Sequence, residues 1–253
     1  MRLQIPPLLC LIVVAFSIAT DIYSQSSSRN LPKTIQTYSS AGNLAGTINF
    51  SYDSANRITR IENLPGDGVR NTYSDIRYNA SGKPVYVETF YSGIKEGAEG
   101  ITEYQNIQYS GGRISSIRHT STSGEPATSN YTYYSSTRTY EAVLPDLPVV
   151  LFQFTHDLNV DRHYTADGVP QFDLTYSTDP GLFVYANIPI ELSVLFVSAR
   201  HFFFSKNEVT AIPILYGNSY EIDSFRDEYD RIVTIHARNP GTENIVFRLE
   251  ISY

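Results

Sequence analysis

Two imidazoles and two carboxylates stand within eight positions at His156, Asp157, Asp161 and His163, the donor set that zinc or another divalent ion takes. Their spacing works against a metal. On one strand, residues seven apart point to opposite faces, so His156 and His163 meet only if a hairpin turns at residues 157–159; the cluster reads as a polar turn. Acyl transfer by serine calls for a nucleophile elbow such as Gly-x-Ser-x-Gly, and the sequence has none. Glycoside cleavage needs only two carboxyl groups that the fold brings together. Asp223, Asp227 and Glu228 are the candidates, and they read more simply as residues solvating a turn. The pairs Asp53 with Arg57 and Asp230 with Arg231 read as turn chemistry, in which aspartate accepts backbone hydrogen bonds and arginine covers an aromatic neighbour. No residue is therefore assigned a catalytic, cofactor-binding or metal-binding role, no cofactor is expected, and the ligand-binding residues stay unassigned.

The elements that would position such groups are hairpins. In residues 48–62, Ile48, Phe50 and Tyr52 alternate with Asn49, Ser51 and Asp53, the period of a strand with one buried face. Residues 53–56 supply a turn, and a return strand follows. Looser copies begin at Ile76, Ile107 and Tyr131, and another spans 228–232. Their unequal spacing suits hairpins laid side by side rather than a solenoid, whose coils must match in length. The stretch 188–204 differs, being apolar nearly all round, and it predicts a buried helix with Pro189 in its first turn and Asn187 as its cap. A strand is the competing reading there. The last segment alternates Ile245, Phe247, Leu249, Ile251 and Tyr253 with polar residues, and it is expected to close or edge the sheet.

Composition sets the compartment and removes several functions. Arg2, an apolar run over residues 8–19 and the small residues Ser17 and Ala19 have the layout of a secretory signal peptide. The expected organisation is a signal and leader over 1–24, a flexible Ser-rich segment over 25–30, and one domain over 31–253. The single cysteine, Cys10, lies within the apolar run, so a mature chain without it has no disulfide, thiolate metal site or cysteine nucleophile. A net charge of −7 with no Lys/Arg cluster argues against a nucleic-acid partner. Twenty tyrosines and thirteen phenylalanines could line a groove for sugars or peptides, although aromatic residues also suit strands generally.

The Phe-x-Tyr-Asp-x-x-x-Arg-Ile-x-x-Ile phrase at residues 50–61 resembles the tyrosine-aspartate repeats of Rhs proteins. With Leu31-Pro32-Lys33 ahead of the first hairpin and Ser205-Lys206-Asn207 ahead of the last, the chain is also similar to exported Bacteroidetes proteins of uncharacterised function whose domain is described as porin-like. That resemblance implies an all-β antiparallel meander of hairpins curled into a barrel-like sheet, and it brings no catalytic residues. The functional expectation is an exported, non-enzymatic cell-envelope or secreted binding protein whose partner is a glycan, a peptide or an envelope protein. Two alternatives stand beside it: an integral outer-membrane barrel, and a hydrolase acting on envelope polysaccharide. Membrane integration is set aside on two grounds. The strands look short against the ~9–11 residues of a spanning strand, and residues 101–109 place Glu103 and Gln105 on one face and Thr102, Asn106 and Gln108 on the other.

Overall fold

Each strand of this chain pairs with the strands before and after it in sequence. The computed structural model describes residues 30–68, 70–92, 100–145, 147–196, 204–215 and 218–253. The strands are β1 (Thr34–Ser39), β2 (Leu44–Tyr52), β3 (Ile58–Pro65), β4 (Thr72–Tyr78), β5 (Pro84–Tyr91), β6 (Ile101–Ser110), β7 (Arg113–Ser121) and β8 (Ala127–Tyr134). They continue as β9 (Thr139–Val143), β10 (Val150–Phe154), β11 (Val160–Thr165), β12 (Pro170–Pro180), β13 (Asn207–Leu215), β14 (Asn218–Arg226), β15 (Ile232–Arg238) and β16 (Ile245–Ser252). β16 returns to pair with β1, Ile251 opposite Ile35, and the antiparallel meander becomes a closed barrel of sixteen strands. The alternating final strand therefore closes the sheet, and closure leaves no unpaired edge. The expected signal, leader and Ser-rich segment lie, apart from Asn30, outside the described residues.

The repeated Ile-x-x-Ile phrase poses a parity problem, because residues three apart on a regular strand face opposite ways. Ile58 and Ile61 nevertheless both pack on the interior. A bulge accounts for this: Ser51 lies opposite Arg60 and Tyr52 opposite Ile58, which leaves Thr59 unmatched. The same one-residue insertion recurs at Val85, Ser115, Asp161 and Val233, where it re-aims the side chains beside the turn.

Three of the turns that precede these bulges share one internal hydrogen-bond plan. Asp53 accepts from the N–H groups of Ala55 (2.9 Å) and Arg57 (3.0 Å) and from the Arg57 guanidinium (2.7 Å). Asp227 does the same with Tyr229 and Arg231, and Asn79 takes the two backbone bonds from Ser81 and Lys83. The fourth residue takes positive φ, 60° at Asn56, 77° at Gly82 and 61° at Asp230, which these residue types tolerate better than most. This corrects the expected pairing of Asp230 with Arg231. Asp227 occupies the folding-back position and binds Arg231 at 2.6 Å, whereas Asp230 lies 3.6 Å from Arg226.

Tyrosine hydroxyls then tie neighbouring hairpins together. Tyr52 donates to the carbonyl of Pro32, Tyr78 to Ile58, Tyr109 to Pro84, Tyr176 to Val160 and Tyr253 to Ile232. Burial pushes all five phenols above the ordinary tyrosine range, so they remain protonated donors at neutral pH.

The barrel interior is a packed core. Ile35, Ile58, Ile114, Phe152, Phe154 and Leu249 are among its fully buried side chains. The chain between β12 and β13 also turns inward. It buries Leu182 and Phe183 and forms a helix, α1 (Ile190–Leu195), all six residues of which are buried. The helix expected near 188–204 is thus present but short, with residues 197–203 outside those described. Pro189 takes the capping position in an extended conformation and no side chain caps the helix. Asn187 instead donates its backbone N–H to the Asn56 carbonyl.

Outward-facing rows carry charge. Arg60 meets Glu62 at 3.0 Å and Asp75 at 3.4 Å, Arg162 meets Asp173 at 2.6 Å, and Arg248 meets Glu250 at 3.0 Å. Arginines also cover outward tyrosines, Arg77 over Tyr86 and Arg248 over Tyr38. Exposed pairs of this kind contribute about 0–1 kcal/mol each.

Of the two grounds for setting membrane integration aside, strand length fails. β2, β6, β7, β12, β13 and β14 run for 9 to 11 residues, and closure pairs the strand edges, which a strand-built span requires. On β6, Glu103 and Gln105 lie on the inner face, opposite Thr89 and Val87, where polarity is no obstacle to a membrane barrel, while Thr102, Asn106 and Gln108 lie on the outer face.

Candidate functional site

The five-residue turns and the long inward segment between β12 and β13 lie at one end of the barrel and the remaining connections at the other, and the inward segment lies between two cavities. The cavity toward the connections holds about 280 Å³. Its floor is apolar: Phe50 from β2, Val87 from β5, Leu195 and Phe196 from α1 and its end, and Phe204. Phe183 fixes that floor from beneath, edge-on to Phe50 with centroids 5.2 Å apart and 5.5 Å from Phe204. The walls are polar and uncharged, with the carboxamides of Asn63 and Gln105 and the hydroxyls of Ser74, Thr89 and Tyr91. Ser74 and Thr89 share a hydrogen bond of 3.0 Å across β4 and β5. Tyr91 donates to Glu103 at 3.0 Å, and burial with that carboxylate pushes its phenol up to about 12. These side chains arise from the inner rows of β3 to β6, where small and amide residues replace the isoleucines found nearer the turns.

The cavity toward the turns holds about 330 Å³ and lies against the start of α1. Glu191 is only 3% exposed, and its Oε1 lies 3.9 Å from Lys83 Nζ and 3.8 Å from Arg113 Nη1. Phe204 lines both cavities, and Lys206 lines this one.

The residues singled out from the sequence are dispersed. His156 is exposed on a turn beside Asp157, Asp161 is the bulge residue of β11, and His163 is buried inside the barrel. The His163 ring lies parallel to Phe152 at 4.6 Å, and neither ring nitrogen has a hydrogen-bond partner. Burial pushes its pKa down to about 4. Among the described residues no three His, Cys, Asp or Glu side chains gather as a metal would require. Asp223 takes two hydrogen bonds from Arg238, at 2.5 and 3.0 Å. Asp227 is held below the usual carboxylate range by Arg231, and Glu228 is exposed on the same turn. None of these three lines either cavity. The cavity residues Asn63, Ser74, Thr89 and Gln105 carried no sequence signal. Glu191 did carry one, as a lone carboxylate within an apolar run.

No protein-family model matches the chain, and no curated protein matches it. Solved structures similar to it include two porin-like proteins. A porin-like protein from Bacteroides vulgatus is 13% identical, with 88% of this chain and 98% of that one covered and a TM-score of 0.39. A porin-like protein from Bacteroides uniformis is 11% identical, with 87% and 97% covered and a TM-score of 0.31. The closed barrel, with strands of up to 11 residues, leaves the expected exclusion of a membrane-integral barrel without its strand-length ground, and that exclusion is withdrawn.

Proposed function

We propose that this chain is a cell-envelope β-barrel that binds a neutral sugar in the cavity at its connection end. The observation that carries the reading is the lining of that cavity: two carboxamides and several hydroxyls stand over a phenylalanine floor, with no charged side chain among its described lining residues. Carboxamides both donate and accept, which matches paired hydroxyl groups, while an aromatic ring packs against the apolar C–H face of a sugar. Barrel mouths are common places for such concave, largely apolar sites. Binding is favoured over passage because Phe183, Leu192 and Val194 occupy the bore with the inward faces of the strands. The carboxylates considered from the sequence for hydrolysis, Asp223, Asp227 and Glu228, do not line this cavity, and Glu103 beside it accepts a hydrogen bond from Tyr91. An envelope location is supported by the edge-free barrel and by the signal-like segment over residues 2–19.

Calorimetric titration with a panel of neutral methyl glycosides tests the proposal. At least one should bind the wild-type protein, and Asn63→Leu with Gln105→Leu should remove that binding while the folded spectrum is kept. Equal binding by the double variant, or none by the wild type across the panel, would reject the site.

A further inference from the structure

The five-residue turns supply a comparison that the rest of the fold does not. Arg57 and Arg231 sit fifth in their turns, and each is neutralised by the aspartate that stands first, Asp53 at 2.6 Å and Asp227 at 2.6 Å. Lys83 also sits fifth, but its first residue is Asn79, which takes the backbone hydrogen bonds and offers no charge. Arg113 follows the tight Gly111-Gly112 turn and has no turn carboxylate either. Both cations face the turn-end cavity, Lys83 over the Tyr109 ring at 5.2 Å and Arg113 over the Tyr133 ring at 4.3 Å. Their shared counter-charge is Glu191, contributed by the inward segment rather than by either turn.

We propose that this cavity is a second binding site, for a small solute bearing an oxyanion, a phosphate or a carboxylate. Three cations, Lys83, Arg113 and Lys206, line it against the single buried carboxylate of Glu191. Neither Lys83 nor Arg113 is within hydrogen-bonding distance of Glu191, at 3.9 and 3.8 Å. Lys83 Nζ also donates to the Gly112 carbonyl and the Arg113 guanidinium is hydrogen-bonded to the Tyr140 hydroxyl, and the donors that remain on each can take an oxyanion, which arginine matches with two parallel N–H bonds and lysine as a point charge. Ser81 and Ser193 add hydroxyl groups to the lining. Glu191 acts as an internal counter-ion: it limits the repulsion between Lys83 and Arg113 in the empty site and competes with the incoming anion for them.

That competition gives the test its sign. Inorganic phosphate and succinate are titrated separately into the full chain by calorimetry at low ionic strength, so the two arms distinguish a phosphate from a carboxylate ligand. Wild-type protein should bind at least one of them, Arg113→Gln should abolish that binding, and Lys206→Gln, at an exposed position that leaves the core intact, should weaken it several-fold. Glu191→Gln should tighten it several-fold. A purely structural ion pair predicts no anion binding by any of these proteins. No binding by wild type or Glu191→Gln in either arm, or unchanged affinity in both Lys206→Gln and Glu191→Gln, would overturn the proposal. Because neutral sugars bind at the opposite end, failure of this site leaves the sugar titration unaffected.

Discussion

Replacing His163 by phenylalanine should stabilise the protein, and by more as the pH falls. His163 is 7% exposed, lies parallel to Phe152 and leaves both ring nitrogens without partners. An unsatisfied buried polar group costs about 1–3 kcal/mol, and a phenylalanine ring can keep the stack on Phe152 at 4.6 Å and the tilted contact with Phe172 at 5.2 Å. Slight overpacking offsets part of the gain, so the net expectation at pH 7.5 is about 1 kcal/mol. The acid limb is more diagnostic. Burial lowers the folded pKa from 6.5 to about 4, so the unfolded chain takes up a proton between those values that the folded chain refuses. The neutral imidazole's contribution is intact above pH 6.5 and is lost as pH falls toward 4, at about 1.4 kcal/mol per unit and roughly 3 kcal/mol in all. Urea unfolding followed by tyrosine fluorescence, in a chain with twenty tyrosines and no tryptophan, should show the gap between variant and wild type widening from pH 7.5 to 4.5. A constant gap, or a less stable variant at both pH values, would refute the reasoning.

Three further outcomes are expected. Tyr78→Phe removes the hydroxyl that donates to the Ile58 carbonyl at 2.6 Å and should cost about 1–2 kcal/mol, whereas Tyr134→Phe, exposed on the outer face, should change urea stability by less than about 0.5 kcal/mol. Gly181→Ala places a Cβ against the backbone of Asn207, where the inward segment leaves β12, and should cost about 1–3 kcal/mol in the same assay. Asp53→Asn should lose stability relative to wild type at pH 7 and match it in strong acid. Burial raises the Asp53 pKa, but the side-chain and backbone hydrogen bonds of Arg57 and that of Ala55 outweigh it and leave the pKa below 3.8. The carboxylate's contribution is therefore present above that value and fades as pH falls below it.

The barrel was legible in the sequence because alternation and turn residues are local signals. Phe50 and Tyr52 declare an inner face, Asn56 and Gly82 declare turns, and the Ile245 to Tyr253 alternation declares the strand that closes the ring. The bulges were not legible. Ile58 and Ile61 violate strand parity, and only the register of β2 against β3 shows how both face inward. Asp230 was preferred to Asp227 as the partner of Arg231 because adjacency in sequence does not reveal which residue of a turn folds back. The helix was overextended, since an apolar run over 188–204 reports burial without reporting length, and Ile190–Leu195 is what the bore accommodates. The cavity had no signature, because Asn63, Ser74, Thr89 and Gln105 are ordinary polar residues until the barrel curves four strands around them. Glu191 was readable in principle, as a carboxylate in an apolar stretch must find cations.

Saturation-transfer NMR tests most directly whether a neutral sugar occupies the cavity on its phenylalanine floor. With protein methyl groups irradiated, neutral methyl glycosides that bind should receive magnetisation at the C–H protons facing Val87 and Leu195, and Asn63→Leu with Gln105→Leu should abolish the transfer. Absence of transfer to every glycoside with the wild-type protein, or undiminished transfer with the double variant, would contradict the account.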